Sequence, residues 1–289
     1  QAATVGSIGA ATSLRSAVDD EQQLQGYFTL SSKALARNSE AQIALMQDSL
    51  QQVRFDERGR LRELVAQARA RREQSVTGNG HGLAMTAASA GMSPLARINN
   101  QLGGLEGIRS LKALDDSLAS DSSLQDFIGS LQDIHRAVTG MPPQLLAIAD
   151  EHAIDAVSRQ ALSAWRATVH PDSSGAPFSA EPVREARREL WIANTQVNFC
   201  ARAYPTVPVG HPDAAALTVL GGFMRNGFLH RSIREQGGAY GGVTLEDLRR
   251  VCDRYLDPAR ASTAVVTSRK QQQALGSAVS ELGLKIEVL

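Results

Sequence analysis

Apolar and polar positions along the chain alternate between two periods, one fitting strands and one fitting helices. Residues 4–18 are small and β-like, with Gly6 and Gly9 as weak points, and YFTL at 27–30 reads as a strand. Asn38-Ser39 then opens a helix with Ile43, Met46, Leu50 and Val53 on one stripe. A second helix buries Leu61, Leu64, Val65 and Ala68 and turns its arginines outward, until Gly78-Asn79-Gly80-His81-Gly82 breaks it. A mixed stretch follows to Leu118.

From Ser123 the order becomes informative. Ser123-Leu124-Gln125-Asp126 opens a helix with Phe127, Leu131 and Ile134 on one face, and Pro142-Pro143 ends it. LLAIA at 145–149 is a short buried-strand candidate, and residues 153–165 form another helix. Thr244-Leu245-Glu246-Asp247 opens the same order again. Here a Thr hydroxyl takes a free backbone N–H, with an acid three residues on. Pro258 ends that helix, TAVVT at 263–267 is a strand, residues 271–282 a helix and 284–289 a final strand. Helix, strand, helix thus occurs twice, near 123–166 and near 244–282, which predicts two structurally similar domains rather than a solenoid.

The two copies differ in length. About ninety residues separate the YFTL strand from the Ser123 helix, whereas Gly241-Gly242 runs almost straight into the Thr244 helix. The comparison predicts that residues are missing between Gly242 and Val243, and that the first copy lacks its beginning. It has no counterpart of the strand and long helix at 189–234.

That strand and helix carry the candidate chemistry. LWIANTQVNFCARAY at 190–204 reads as one long strand, and Pro205, Pro208 and His211-Pro212 form a turn. Asp213 sits where an N-cap is expected, and Leu217, Leu220, Met224 and Phe228 form the helix stripe. Gly221, Gly222 and Gly227 weaken this helix, each by about 1 kcal/mol against Ala, and predict close approach of another backbone. His230, Arg231 and Arg234 fall in the last turn, where cations suit the helix dipole, and Gly237-Gly238 stops it.

Composition narrows the function classes. The chain has 289 residues, 43% of them hydrophobic, enough for two domain cores. Lys+Arg and Asp+Glu are both 30, so nothing in the charge balance calls for nucleic acid or an anionic membrane. The Arg-rich face at Arg60, Arg62, Arg69, Arg71 and Arg72 is interspersed with Glu63 and Glu73 and lacks aromatics, as a solvated helix face does. The longest apolar stretch, roughly 214–224, is shorter than the ~20 residues of a membrane span. Two cysteines, Cys200 and Cys252, make no disulfide framework, and Cys200, inside a strand pattern, reads as core rather than nucleophile. No Gly-x-Ser-x-Gly occurs, and Gly6-Ser7-Ile8-Gly9 lacks the third glycine of a dinucleotide loop.

The most specific string is Arg234-Glu235-Gln236-Gly237-Gly238-Ala239-Tyr240-Gly241. With LGGFMRNGFLHRSIREQGGAYG around it, it strongly resembles the last domain of the presequence-protease branch of the insulinase/pitrilysin family, the peptidases with an inverted zinc motif. YFTLSSKALARNSEAQ and SVTGNGHGLAMTAASAGMSPLARINNQLGGLEGI carry the resemblance through nearly the whole chain. The resemblance implies that an Arg/Tyr pair, here Arg234 and Tyr240, reaches across a closed chamber to the zinc site in the other half and binds substrate backbone. Gly237, Gly238 and Ala239 are the glycine-bounded strand along which a peptide would lie, and His230, one turn before Arg234, is a further candidate to line the chamber.

The zinc motif, His-x-x-Glu-His, is not in this sequence. The histidines are His81, His135, His152, His170, His211 and His230, none in that spacing, and Ile148 stands where Glu151-His152 would need the first. No metal ligand is assigned here, and zinc is expected in an N-terminal half that bears the motif. The implied fold is α+β, two similar domains each with a mainly antiparallel sheet packed with helices. They are residues 1–170, incomplete at the start and structural, and residues 183–289, which carry the Arg/Tyr pair, with a linker at 171–182. The implied substrates are short unstructured peptides, with no nucleic-acid or membrane partner, in a bacterial cytoplasm or an organelle matrix. Two alternatives stand beside this one: a catalytically silent partner subunit of the same fold, and a peptide-binding module.

Overall fold

The computed structural model describes residues 5–166, 178–226 and 258–289. Helices and sheets are mixed along the chain, an α+β architecture. Contacts divide it into two compact units, each drawing on both halves of the chain. One comprises Gln1–Leu14, Gly26–Gln67 and Ala113–Phe178, the other Arg15–Gln25, Ala68–Lys112 and Ser179–Leu289.

The first unit is mainly helical. Two ten-residue strands, β1 (Ser7–Ser16) and β2 (Leu24–Lys33), pair as a ribbon whose antiparallel sense is fixed by Gly6 N–H to Lys33 O and Ala17 N–H to Gln23 O. Helix α1 (Ser39–Gln51) lies against α7 (Ile154–Arg166) through two polar contacts: Ser39 Oγ donates to Gln160 Oε1 at 2.7 Å, and Gln47 Nε2 to the Ala164 carbonyl at 3.0 Å. The amphipathic stripe stops short of Val53, because α1 ends at Gln51 and leaves Val53 exposed.

Helix α2 (Arg58–Gly78) keeps its arginines in solvent and pairs them. Arg60 binds Glu63, Arg69 binds Glu73, and Arg62 reaches both the Leu118 carbonyl at 2.8 Å and Asp121 at 2.8 Å. That last pair ties α2 to the start of α6 (Asp121–Thr139), which buries Leu124 and Ile128.

The second unit holds the main sheet, in the order β4-β5-β3-β6. Its strands are β3 (Arg188–Ile192), β4 (Phe199–Ala203), β5 (Ser262–Thr267) and β6 (Lys285–Val288). β3 runs parallel to both β5 and β6, and only β4 is antiparallel to β5. A mainly antiparallel sheet was expected, and this one is mixed. The physical reason is that α9 (Arg269–Leu275) and α10 (Ala278–Glu281) return the chain to the same end of the sheet after β5, so β6 must run the same way. The expected single helix at 271–282 is split in two at Gly276, which takes φ 51°.

The stretch expected as one strand at 190–204 is two strands that do not touch, because β5 lies between β3 and β4. The break is made by polar side chains that compete with the ladder. Thr195 Oγ1 donates to Val197 O and accepts the Val197 N–H, and Asn198 takes the Thr267 hydroxyl at 2.5 Å.

The mixed stretch before Leu118 is helical throughout: α3 (Gly80–Ser89), α4 (Pro94–Gly103) and α5 (Leu105–Ser117). Ser93 caps α4 by accepting the Ala96 N–H, with Pro94 in the first turn. Leu83, Ala84, Ala87 and Ala88 of α3, with Leu105 and Ile108 of α5, form one core with Trp191, Ala264 and Val266 of the sheet. Small residues let α3 sit close. A Cβ at Gly80 would fall 2.3 Å from the Phe199 ring, and one at Gly91 only 2.1 Å from the Glu185 carbonyl oxygen.

LLAIA at 145–149 is not a strand here. These residues lie in no helix, strand or turn, and Leu146 and Ile148 are each 87% exposed. Among the described residues, no helix is long and apolar enough to cross a membrane.

Candidate functional site

The residues singled out for chemistry, Arg234 and Tyr240 with His230, Gly237, Gly238 and Ala239, lie outside the described residues, as do Gly242 and Val243 on either side of the expected gap. The structure does define how that segment is attached. Residues 204–261 leave the sheet at the end of β4 and re-enter at the start of β5. Those two strands are antiparallel neighbours, so Ala203 stands directly opposite Ser262. Phe199, Ala201 and Ala203 of β4 pack on the core under α3, which holds the exit point against a rigid face.

The first part of the excursion is a turn and a helix. Gly210 N–H bonds the Val18 carbonyl at 2.7 Å and His211 N–H the Pro208 carbonyl at 3.0 Å. The Asp213 N–H is accepted by His211 Nδ1 at 3.1 Å, so this imidazole is an acceptor at Nδ1 and serves to start the helix. Helix α8 (Ala214–Asn226) follows, with Leu217 and Leu220 half-buried and Val219 and Phe223 exposed. Among the described residues, the close backbone approach expected from its glycines is not found at Gly221 or Gly222, where an added Cβ meets nothing within 4 Å; Gly227 lies outside them.

The sheet of this unit also carries a charge cluster that no sequence motif announced. Arg187 is bound by Glu106 of α5 at 2.7 Å and by Glu189 of β3 at 2.6 Å, and Glu189 also accepts the Trp191 indole N–H at 2.8 Å. The Glu189 side chain is only 5% exposed. Burial alone would lower the Arg187 pKa, but the two carboxylates outweigh it and raise it. Arg109 lies 4.8 Å over the Trp191 ring and pairs with Glu287, which also binds Lys285. The cluster clamps α5 onto β3 and β6. The sequence shows only Glu189 at the head of an apolar run, directly after Arg187-Arg188.

The Glu287 carboxyl is held below the ordinary carboxylate range, first by the Lys285 ammonium and then by Arg109, against burial that would raise it. A carboxylate with a depressed folded pKa adds stability above its unfolded pKa, and that contribution is lost as pH falls through the folded value. Urea midpoints measured from pH 7 down to pH 3 should therefore show a steeper acid loss in the wild type than in Glu287→Gln. Identical pH profiles would remove Glu287 from the clamp.

Other chemistries find little support. Cys200 is exposed on β4, not core as expected, because strand alternation gives the inner positions to Phe199 and Ala201. Partial burial pushes its thiol pKa up, away from a nucleophile. Cys252 lies outside the described residues.

The described histidines do not fit a zinc site. His135 Nε2 is 2.6 Å from the Leu50 carbonyl with its ring edge-on to Phe55, His211 supports α8, and His81 and His152 are exposed on separate elements. Among the described residues no three His, Cys, Asp or Glu side chains gather as metal ligands. An open depression of about 410 Å³ lies at the carboxyl ends of β3, β5 and β6, edged by Asn194, Ser268, Arg269 and Lys270, and among the described residues no Asp, Glu or His side chain lines it.

Comparison with known proteins agrees with the family resemblance. Residues 1–114 match the family model for the region associated with the M16 peptidases of subfamily C. The mitochondrial presequence protease of Yarrowia lipolytica is 30% identical over 221 residues, 74% of this chain and 22% of that protein. That of Danio rerio is 28% identical over 248 residues, 78% of this chain and 24% of that protein. Presequence protease 1, chloroplastic/mitochondrial, of Arabidopsis thaliana is 26% identical over 211 residues, 73% of this chain and 19% of that protein.

The chain is thus a relative of the insulinase/pitrilysin (M16) peptidases. Within them it corresponds to a carboxy-terminal region of the presequence-protease branch, and it spans about a fifth to a quarter of the length of the relatives it matches.

Proposed function

We propose that this chain is part of the carboxy-terminal half of a zinc metalloendopeptidase that degrades short unstructured peptides in a closed chamber, with Arg234 and Tyr240 as its contribution to the chemistry. The observation that carries the reading is the alignment of most of the chain with presequence proteases, together with the intact Arg234-to-Tyr240 string. Residues 1–170 and 183–289 would be two successive family domains joined at 171–182, the first structural and the second bearing the pair.

Zinc would be held by a part of the protein carrying His-x-x-Glu-His and would there supply an activated water. The described residues of this chain do not fit it, so their work lies elsewhere. Amide hydrolysis builds negative charge on the carbonyl oxygen, and a tyrosine O–H and a guanidinium aimed there bind the transition state more tightly than the substrate. Glycines at 237 and 238 leave room for a peptide backbone to lie alongside Ala239. A chamber that closes admits only chains able to enter unfolded, which is why short cleaved peptides such as targeting peptides suit it.

The test is cleavage of a fluorogenic unstructured peptide by the full-length gene product. Hydrolysis should vanish with a chelator, return with added zinc, and be absent from residues 1–289 alone. Peptide binding without any turnover by the full-length product would replace the enzyme by a binding module.

A further inference from the structure

We propose that the depression at the carboxyl ends of β3, β5 and β6 binds a small phosphate monoester, with its phosphate at Arg269 and Lys270 and its organic part against Ile192, Ala193 and Val288. The strand order opens the crevice. In the order β4-β5-β3-β6, β3 and β5 are parallel neighbours. The chain leaving β3 at Ile192 crosses to β4, beyond β5. The chain leaving β5 at Thr267 crosses through α9 and α10 to β6, beyond β3. Two parallel neighbours whose connections depart in opposite directions leave a gap at their carboxyl ends, and ligands of α/β sheets sit in such gaps. The volume of about 410 Å³ suits a small molecule.

The lining sets the ligand's chemistry. Around β3 and β6, cations meet acids: Arg187 pairs with Glu106 and Glu189, and Arg109 and Lys285 pair with Glu287. Arg269 and Lys270 meet none. Both are exposed, and among the described residues neither has an ion-pair or hydrogen-bond partner. They stand in the first turn of α9, where cations are disfavoured, so the helix gains nothing from them. The Asn194 amide, on the β3 side, is exposed and equally unbonded. The Ser268 hydroxyl is taken by Gln271, to whose Oε1 it donates and whose N–H it accepts. The depression thus offers a guanidinium, an ammonium and an amide, with two positive charges and no Asp, Glu or His among the described residues that line it. A phosphate dianion answers both charges and takes the guanidinium fork, whereas a monocarboxylate leaves one cation unanswered. Ile192 and Ala193, each 7% exposed, give an apolar floor that a bare ion would not use.

Titration of the full-length gene product with phenyl phosphate, inorganic phosphate and benzoate tests this without reading peptide cleavage, so it stands or falls apart from the peptidase reading. Phenyl phosphate should bind more tightly than either of the others. Arg269→Gln and Lys270→Gln should each weaken it roughly 10-fold, the loss of one charge-assisted contact. Arg71→Gln, which removes an exposed charge from α2, should leave it unchanged. Acetylation mapped by mass spectrometry places the ligand: phenyl phosphate should slow modification of Lys270 and not of Lys112. Lys270 modified at one rate with and without phenyl phosphate would overturn the proposal, as would binding indifferent to both substitutions. Benzoate binding as tightly as phenyl phosphate would overturn the ligand class and make the site one for carboxylates.

Discussion

Replacing Tyr240 by Phe in the full-length protein should lower kcat for an unstructured peptide by about 10²–10³-fold while KM changes little, because one donor to the developing oxyanion is worth that much and acts mainly in the transition state. Arg234→Lys should cost nearly as much as Arg234→Ala. The guanidinium donates in a planar fork along a peptide backbone, and an ammonium on a flexible stem cannot reproduce that geometry. Stopped assays with the zinc content of each variant measured in parallel separate lost chemistry from lost metal. A Tyr240→Phe enzyme as fast as the wild type would reduce this region to a lid over someone else's site. A rise in KM with unchanged kcat would make the pair a substrate clamp rather than part of the chemistry.

The second large effect belongs to the charge clamp between α5 and β3. Arg187→Met should lower the unfolding free energy by about 3–5 kcal/mol, since it leaves the nearly buried Glu189 and the half-hidden Glu106 without their shared cation. Chemical denaturation at pH 7 measures it, and a deficit below about 1 kcal/mol would show that water already reaches these groups.

What the sequence made legible follows from how local each signal is. The helices at 39–51, 58–78 and 154–166 were readable because their stripes and stops are contained in a few turns. The Gly78–Gly82 cluster was read only as a break. Gly80 in fact opens α3 and lets it press on Phe199, a partner far along the chain that no local pattern reveals. Ser93-Pro94 is a local sign for α4 that the small residues around it blur. The 190–204 run reads as one strand because β-branched and aromatic residues dominate it, while the break rests on two short polar side chains, Thr195 and Asn198. LLAIA and TAVVT look alike in sequence and differ in the structure, because a strand is made by its neighbours as much as by itself. The site was legible as a motif through resemblance; nothing in hydrophobic spacing alone would have selected Arg234 or Tyr240.

The pairing of Ala203 with Ser262 means that the stretch between them is held like a cassette, with both ends fastened side by side in one ladder. The sheet's register is then independent of what hangs from it. Doubling the length of such a closed loop changes the closure free energy by only about 0.6 kcal/mol. Residues 204–261 can therefore be lengthened, shortened or rewritten while Trp191, Ala264 and Val266 stay in place. For the same reason, extra residues between Gly242 and Val243 would leave every strand of this unit where it stands.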